Sequence, residues 1–193
     1  MKNNPFMMAR ISLPRCQLDY EEPWNQLNID LKALQDNYRY LRSKIPLGSP
    51  LYVVLKSDAY GHGIVEVGKA LTQAGCAYFA VESPQEGILL RKNDIRADIL
   101  LLNPIPLWMA GTAVHHDLTV SVIHESILDP LEESARSMDR TCRIHLNINV
   151  GLNRMGIPPS RLKKVARLAN EKERVELTAL FAQPRDNLTA PEC

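Results

Sequence analysis

In a chain of 193 residues, 45% of them hydrophobic, 23 basic side chains stand against 22 acidic ones and leave a formal net charge of +1. That balance gives no reason to expect nucleic acid or an anionic membrane as a partner, and this length and apolar content can bury a good core, most simply as one folded domain. No apolar run approaches the roughly 20 residues that a bilayer-spanning helix needs. Cys16, Cys76, Cys142 and Cys193 form neither a CxxC pair nor a metal-ligand spacing, so a reduced, cytoplasmic setting without a bound metal is expected.

Residues 1–23 carry Lys2, Arg10 and Arg15 and the prolines Pro5, Pro14 and Pro23, without a long apolar stretch or a small-residue cleavage site. They are read as a flexible N-terminal extension rather than a signal peptide. Residues 24–30 are predicted to be a leading strand and residues 31–41 a helix with Leu31, Leu34, Tyr38 and Leu41 on one face. The run 51–55 is apolar and partly β-branched, as expected of a strand buried on both faces of a parallel sheet. Strands are then predicted at 77–81, 99–102, 118–123, 143–150 and 175–182, separated by amphipathic segments. This alternation marks a βα repeat. Counted from residue 51 it makes six strands, so the expected fold class is α/β, a partial (β/α)8 TIM-type barrel holding about six of the eight strands that closure requires.

The helix starts are legible too. Ser83-Pro84-Gln85-Glu86 combines an N-cap serine, a proline at the first helical position and a glutamate three residues after the cap, the capping-box arrangement. Ser126 is predicted to cap a helix reaching Met138. Pro158-Pro159-Ser160 precedes a helix with Leu162, Val165, Leu168 and Ala169 inward and Arg161, Lys163, Lys164 and Arg167 on a solvated face. His115-His116 would point about 100 degrees apart on a helix, which suits a helix end better than a metal site. Residues 183–193 are polar and contain Pro184 and Pro191, without an amphipathic period, and are expected to be disordered.

The most informative segment is Leu55-Lys56-Ser57-Asp58-Ala59-Tyr60-Gly61-His62-Gly63-Ile64. It sets Lys56 at the carboxyl end of a barrel-type strand, the end where catalytic groups collect because the loops vary while the packed strands hold them still. An amine there can lose its charge by desolvation and attack an aldehyde. A lysine at an arbitrary strand end simply reaches into water; the residues that follow distinguish this one. Gly61 and Gly63 bracket His62 in a tight turn where backbone can approach a ligand, and a helical pattern starts at once with Val65, Val67, Ala70 and Leu71.

The string Lys56-Ser57-Asp58-Ala59-Tyr60-Gly61-His62-Gly63 resembles the alanine racemase family, pyridoxal-phosphate enzymes built from an α/β barrel and a C-terminal β domain. Trp24-Asn25-Gln26-Leu27-Asn28-Ile29-Asp30, Val81-Glu82-Ser83-Pro84-Gln85-Glu86-Gly87 and Asn149-Val150-Gly151-Leu152-Asn153-Arg154-Met155-Gly156 fall in the family's order, so the resemblance covers an incomplete barrel domain at residues 24–182. It implies a racemase interconverting L-alanine and D-alanine, a peptidoglycan precursor. In that reading Lys56 is the catalytic lysine and holds pyridoxal 5'-phosphate covalently, Tyr60 lies near the cofactor phosphate, and Arg154 faces the cofactor ring and the substrate carboxylate. A broad-specificity amino-acid racemase and a non-catalytic cofactor-binding remnant stay open as alternatives.

The resemblance further implies that the complete enzyme is a homodimer in which the β domain of the partner supplies a tyrosine as second base. By itself the chain is expected to be incomplete and weakly active or inactive. Two departures from the family's pattern are visible. Leu180 stands where the resemblance implies a histidine packed near the cofactor ring. Asn147 and Asn149 stand where it implies a carbamylated lysine and an aspartate, so Arg154 is expected to lack a covalently supplied anion, with a bound chloride as the replacement.

Overall fold

Asp30 accepts the amide of Ala33 at 2.9 Å, which caps helix α1 (Leu31–Ser43). The structure is a computed structural model that describes residues 27–184; the expected N-terminal extension, residues 24–26 of the expected leading strand, Cys16, Cys193 and residues 185–193 lie outside the described residues. Residues 27–30 form no strand. The short acidic side chain of Asp30 satisfies a free helix amide instead, the role in which aspartate is strongly preferred. Helix α1 then docks on its neighbour through Gln35, which donates to the Ala70 carbonyl at 2.8 Å, and Tyr38, whose hydroxyl donates to the Gly75 carbonyl at 3.2 Å.

Six parallel strands follow, β1 (Val53–Val54), β2 (Tyr78–Val81), β3 (Asp98–Leu101), β4 (Thr119–Val122), β5 (Cys142–Ile148) and β6 (Val175–Ala182), and they lie side by side in sequence order. Between them run α2 (Lys56–Gly61), α3 (Ile64–Gln73), α4 (Pro84–Lys92), α5 (Ala110–His115), α6 (Leu128–Ser137) and α7 (Pro159–Asn170). A sheet whose order never reverses, joined by crossovers of one hand, carries its helices on one face. That is the wall of a barrel, as the sequence predicts. Among the described residues the wall is open between β1 and β6.

Alternation along the strands separates two layers. Phe79, Val81, Ile99, Leu101, Val120, Val122, Ile144 and Leu146 are each at most 1% exposed and share a core with Leu90, Leu131, Ala135, Val165 and Ala169 of the helices. Each such large side chain contributes about 1.5–3 kcal/mol by leaving water. The other face is mixed. Tyr52 packs on Tyr78 with ring centroids 5.1 Å apart and on His145 at 5.9 Å, and His145 lies 6.4 Å from Phe181. Asp98 accepts the Thr119 hydroxyl at 2.7 Å and lies 3.8 Å from the Arg143 guanidinium. Burial pushes the Tyr52 phenol up to about 12 and pushes His145 down, so both sit in their neutral forms near neutral pH.

Several expectations are corrected by the structure. The strand predicted over 51–55 pairs as a ladder only at Val53–Val54, and Val54 is 36% exposed. Among the described residues it is an edge strand with one neighbour, and the exposure of Val54 means that it is not buried on both faces. The strand predicted to reach residue 150 ends at Ile148 because the chain folds back: Asn149 donates its amide to Ile157 and Ile157 donates to Asn147, at 3.0 and 2.7 Å. Ser126 does not cap α6. A 3-10 turn over Glu125–Ile127 leads into that helix, and the ring Nδ1 of His124 accepts the Ser126 amide at 3.2 Å. The basic face of α7 is not wholly solvated either, since Arg161 and Lys164 reach Glu125 at 2.6 and 3.3 Å. His116 does cap the end of α5, as the paired histidines suggest. Among the described residues no helix is long and apolar enough to cross a membrane.

Candidate active site

Past β1 the amide of Leu55 still donates to Ala80 at 2.8 Å, which carries the ladder up to the residue before Lys56. The chain then reverses abruptly. Ser57, Asp58, Ala59 and Tyr60 have φ of 55, 56, 53 and 57 degrees, four successive non-glycine residues in the left-handed region. Each such residue costs roughly 1–2 kcal/mol, and strain of this kind concentrates at functional sites. Five hydrogen bonds hold the turn: Ser57 amide to Glu86 Oε1 at 2.6 Å, Ala59 amide to the Leu55 carbonyl at 2.8 Å, His62 amide to the Ala59 carbonyl at 3.1 Å, Gly63 amide to the Asp58 carbonyl at 3.0 Å, and Ile64 amide to Asp58 Oδ1 at 2.7 Å. The sequence places the turn at Gly61 and Gly63, but the reversal starts four residues before Gly61. No glycine marks its beginning, so composition carried no signal for it.

Glu86 serves two ends. Its Oε2 accepts the amides of Glu82 and Ser83 at 2.8 and 3.1 Å, while the Ser83 hydroxyl accepts the Glu86 amide at 3.4 Å. This is the capping box read from the sequence, on α4. Through its other oxygen the same carboxylate ties the backbone just after Lys56 to the backbone at Glu82.

Arg154 arrives from the loop between β5 and α7. Asn149 organises that loop by accepting the amides of Gly151 and Asn153, both at 3.1 Å, and by donating to Asn153 Oδ1 at 3.0 Å. The loop is pressed onto β5 through the parallel bridge between Ile148 and Ile157. Arg154 donates to Gln183 Oε1 at 2.7 Å. Gln183 belongs to the segment expected to be disordered; here it follows β6 directly and holds the guanidinium.

The structure brings Lys56, Tyr60 and Arg154 together on one cleft of about 480 Å³ at the carboxyl end of the strands. Val54, Leu102 and Phe181 supply apolar wall, and Glu82, Asn103 and Asn147 supply polar groups. Tyr60 is 60% exposed at the rim. The Lys56 ammonium lies 3.9 Å from Glu82 Oε2, with its side chain 37% exposed, so the amine is not fully withdrawn from water by the described residues. Glu82 Oε1 in turn accepts from the Asn103 side-chain amide at 3.1 Å. Sequence reasoning missed Glu82, Asn103 and Gln183 as site residues; the available hint was that each falls just after a strand, at the end where barrel sites form.

Leu180 pairs with Leu146, which is buried among the helices, whereas Phe181 pairs with Asn147 and lines the cleft. Alternation therefore sends Leu180 to the side away from the cleft, not to a place beside a bound ring. Asn147 is 6% exposed and lines the cleft, while the neutral Gln183 is the acceptor on Arg154. Among the described residues no group of three or more His, Cys, Asp or Glu converges as metal ligands would.

Residues 29–185 match the family described as alanine racemase, N-terminal domain. The chain is 31% identical over 167 residues to alanine racemase 1 of Oceanobacillus iheyensis, covering 86% of this chain and 44% of that protein. It is 34% identical over 148 residues to alanine racemase 2 of Clostridium acetobutylicum, covering 77% of this chain and 38% of that protein. Among solved structures, the alanine racemase of Clostridium difficile 630 in complex with cycloserine superimposes with a TM-score of 0.75 at 29% identity, over 80% of this chain and 43% of that one. The chain thus spans less than half the length of these relatives.

Proposed function

Since the chain belongs to the alanine racemase family, matching its N-terminal domain, we propose that it forms the lysine-bearing barrel portion of a pyridoxal-phosphate-dependent racemase that interconverts L-alanine and D-alanine. The observation that carries this reading is the convergence of Lys56, Tyr60 and Arg154 on one cleft although they lie up to 98 residues apart. The residues present fit the cofactor. The cleft falls in the size range of small-ligand sites, about 300–1,000 Å³. Lys56 is the one lysine among its lining residues, and its amine can meet an aldehyde; Val54, Leu102 and Phe181 offer wall for a ring; Tyr60 and Arg154 offer donors for anionic oxygens.

Bound in the cleft, pyridoxal phosphate would supply a conjugated electron sink that makes the α proton of an amino acid removable. Lys56 would hold the cofactor and, once released by the incoming substrate amine, would take or return that proton at its Nζ on one face of the α carbon. Arg154 would bind the substrate carboxylate or a phenolic oxygen, its guanidinium plane preset by Gln183. Tyr60 would donate its hydroxyl to the phosphate. A base for the opposite face would come from elsewhere, and a homodimer in which the partner subunit provides it is the assembly we expect. We expect a small amino acid as substrate and the cytoplasm as setting, where the buried thiols of Cys76 and Cys142 stay reduced.

The test is covalent trapping. The chain is mixed with pyridoxal phosphate, reduced with borohydride and mapped by peptide mass. The pyridoxyl group should appear on the peptide containing Lys56 and vanish in Lys56→Ala. Labelling spread over surface lysines, unchanged in Lys56→Ala, would overturn the assignment.

A further inference from the structure

The cleft holds one carboxylate that the proposed chemistry does not use. We infer that Glu82, oriented by Asn103, is a proton-transfer partner of Lys56 that speeds the capture of an aldehyde by its amine; this rests on the proposed function and deepens it.

The placement of Glu82 is built into the fold. Its Oε1 is occupied by the Asn103 side-chain amide at 3.1 Å, and its Oε2 lies 3.9 Å from Lys56 Nζ. The two backbones that set this distance are clamped by one group, since Glu86 accepts the amide of Ser57 through Oε1 at 2.6 Å and the amide of Glu82 through Oε2 at 2.8 Å. Lys56 precedes one of these amides and Glu82 carries the other. The pair is therefore fixed from three sides: the capping box of α4, the left-handed turn of α2 and Asn103, two residues past β3.

The chemistry at an amine needs such a partner. An ammonium has no lone pair, so it must give up one proton before its nitrogen can form a bond to the aldehyde carbon. The nitrogen then loses a second proton while the carbonyl oxygen leaves as water, carrying both. Nothing is oxidised or reduced, and the positive charge on nitrogen is the same before and after. A carboxylate within reach of the amine can accept the first proton and hand it to the departing oxygen. Glu82 is the carboxylate that lines this cleft.

A different role would be simple charge holding, and magnitudes separate the two. An ion pair at 3.9 Å with side chains 37% and 44% exposed is heavily screened, and its removal should alter the rate by less than about tenfold, in the upward direction because the amine is then freed more easily. Loss of a positioned proton shuttle lowers the rate, typically by about 10²-fold or more.

The experiment follows attachment of pyridoxal phosphate to the cofactor-free 193-residue chain, quenched with borohydride at set times and quantified on the Lys56 peptide. Glu82→Gln should slow attachment by about 10²-fold while the extent at long times stays the same. Glu82→Asp, which keeps the carboxylate but withdraws it by one methylene, should fall between the two; if Glu82→Gln does not fold, this variant decides, and a Glu82→Asp rate equal to or above the native one overturns the inference. A Glu82→Gln rate equal to or above the native one overturns the inference and leaves the attachment of the cofactor at Lys56 untouched. Failure of the native chain to be labelled at Lys56 overturns both.

Discussion

A side chain at position 156 would have its Cβ 2.6 Å from the backbone nitrogen of Asn149 and 2.8 Å from the carbonyl carbon of Ile148, with φ at +122 degrees. Glycine is required there on two counts, close approach and conformation. Because this contact presses the Arg154 loop onto the end of β5, Gly156→Ala should destabilise the fold by about 1–3 kcal/mol. It should also detach the loop, read as lost protection of the amide of Ile157 in hydrogen exchange; a urea midpoint equal to the native one would contradict this. Gly63 makes a useful contrast. Its φ is +87 degrees but a Cβ would meet nothing within 4 Å, so the cost of Gly63→Ala is purely conformational, about 1–2 kcal/mol. At this scale the sequence showed the glycines and the lysine but not the four left-handed residues from Ser57 to Tyr60, whose conformation is imposed by Glu86 and Asp58.

Among the elements, α4 docks through a carboxylate that was legible only in part. The capping box was readable at Ser83 and Glu86, since it is a local pattern. The bond from the Ser57 amide to Glu86 was not, since it joins residues 29 apart. Glu86→Ala should therefore cost more than a lost cap alone, about 1.5–3 kcal/mol for hydrogen bonds to a charged group. A thermal melt reads this loss, and the Lys56 turn should exchange its amides faster. Glu125, in the 3-10 turn ahead of α6, pairs with Arg161 and Lys164 of α7 and is held down to about 2 by a hydrogen bond to its own backbone, against desolvation, with Lys164 and Arg161 adding to the shift. Its folded value lies below the ordinary 4.5, so its contribution to stability is complete above that value and is lost as pH falls through about 2. Acid titration of Glu125→Gln should show a shallower loss of stability across that window than the native chain; parallel curves would remove Glu125 from the account.

On the scale of the molecule, six parallel strands in sequence order leave two edges, β1 and β6, among the described residues. Leu180 is 53% exposed on the outer side of β6 and Val54 is 36% exposed on β1. Unpaired strand edges with apolar side chains invite pairing with other chains. The 193-residue chain studied alone should accordingly show concentration-dependent association by sedimentation velocity, and a single monomer species at all concentrations would mean that the edges are covered. The sequence by itself determined the six strands counted from residue 51, the capping box of α4 and the placing of Lys56 at a strand exit, because apolar period and cap chemistry act over a few neighbouring residues. Only the tertiary structure decided that Glu82 stands by Lys56, that Gln183 holds Arg154 and that Leu180 faces away from the cleft. Those facts depend on strand register and on distances between segments remote in the chain, which no local pattern encodes.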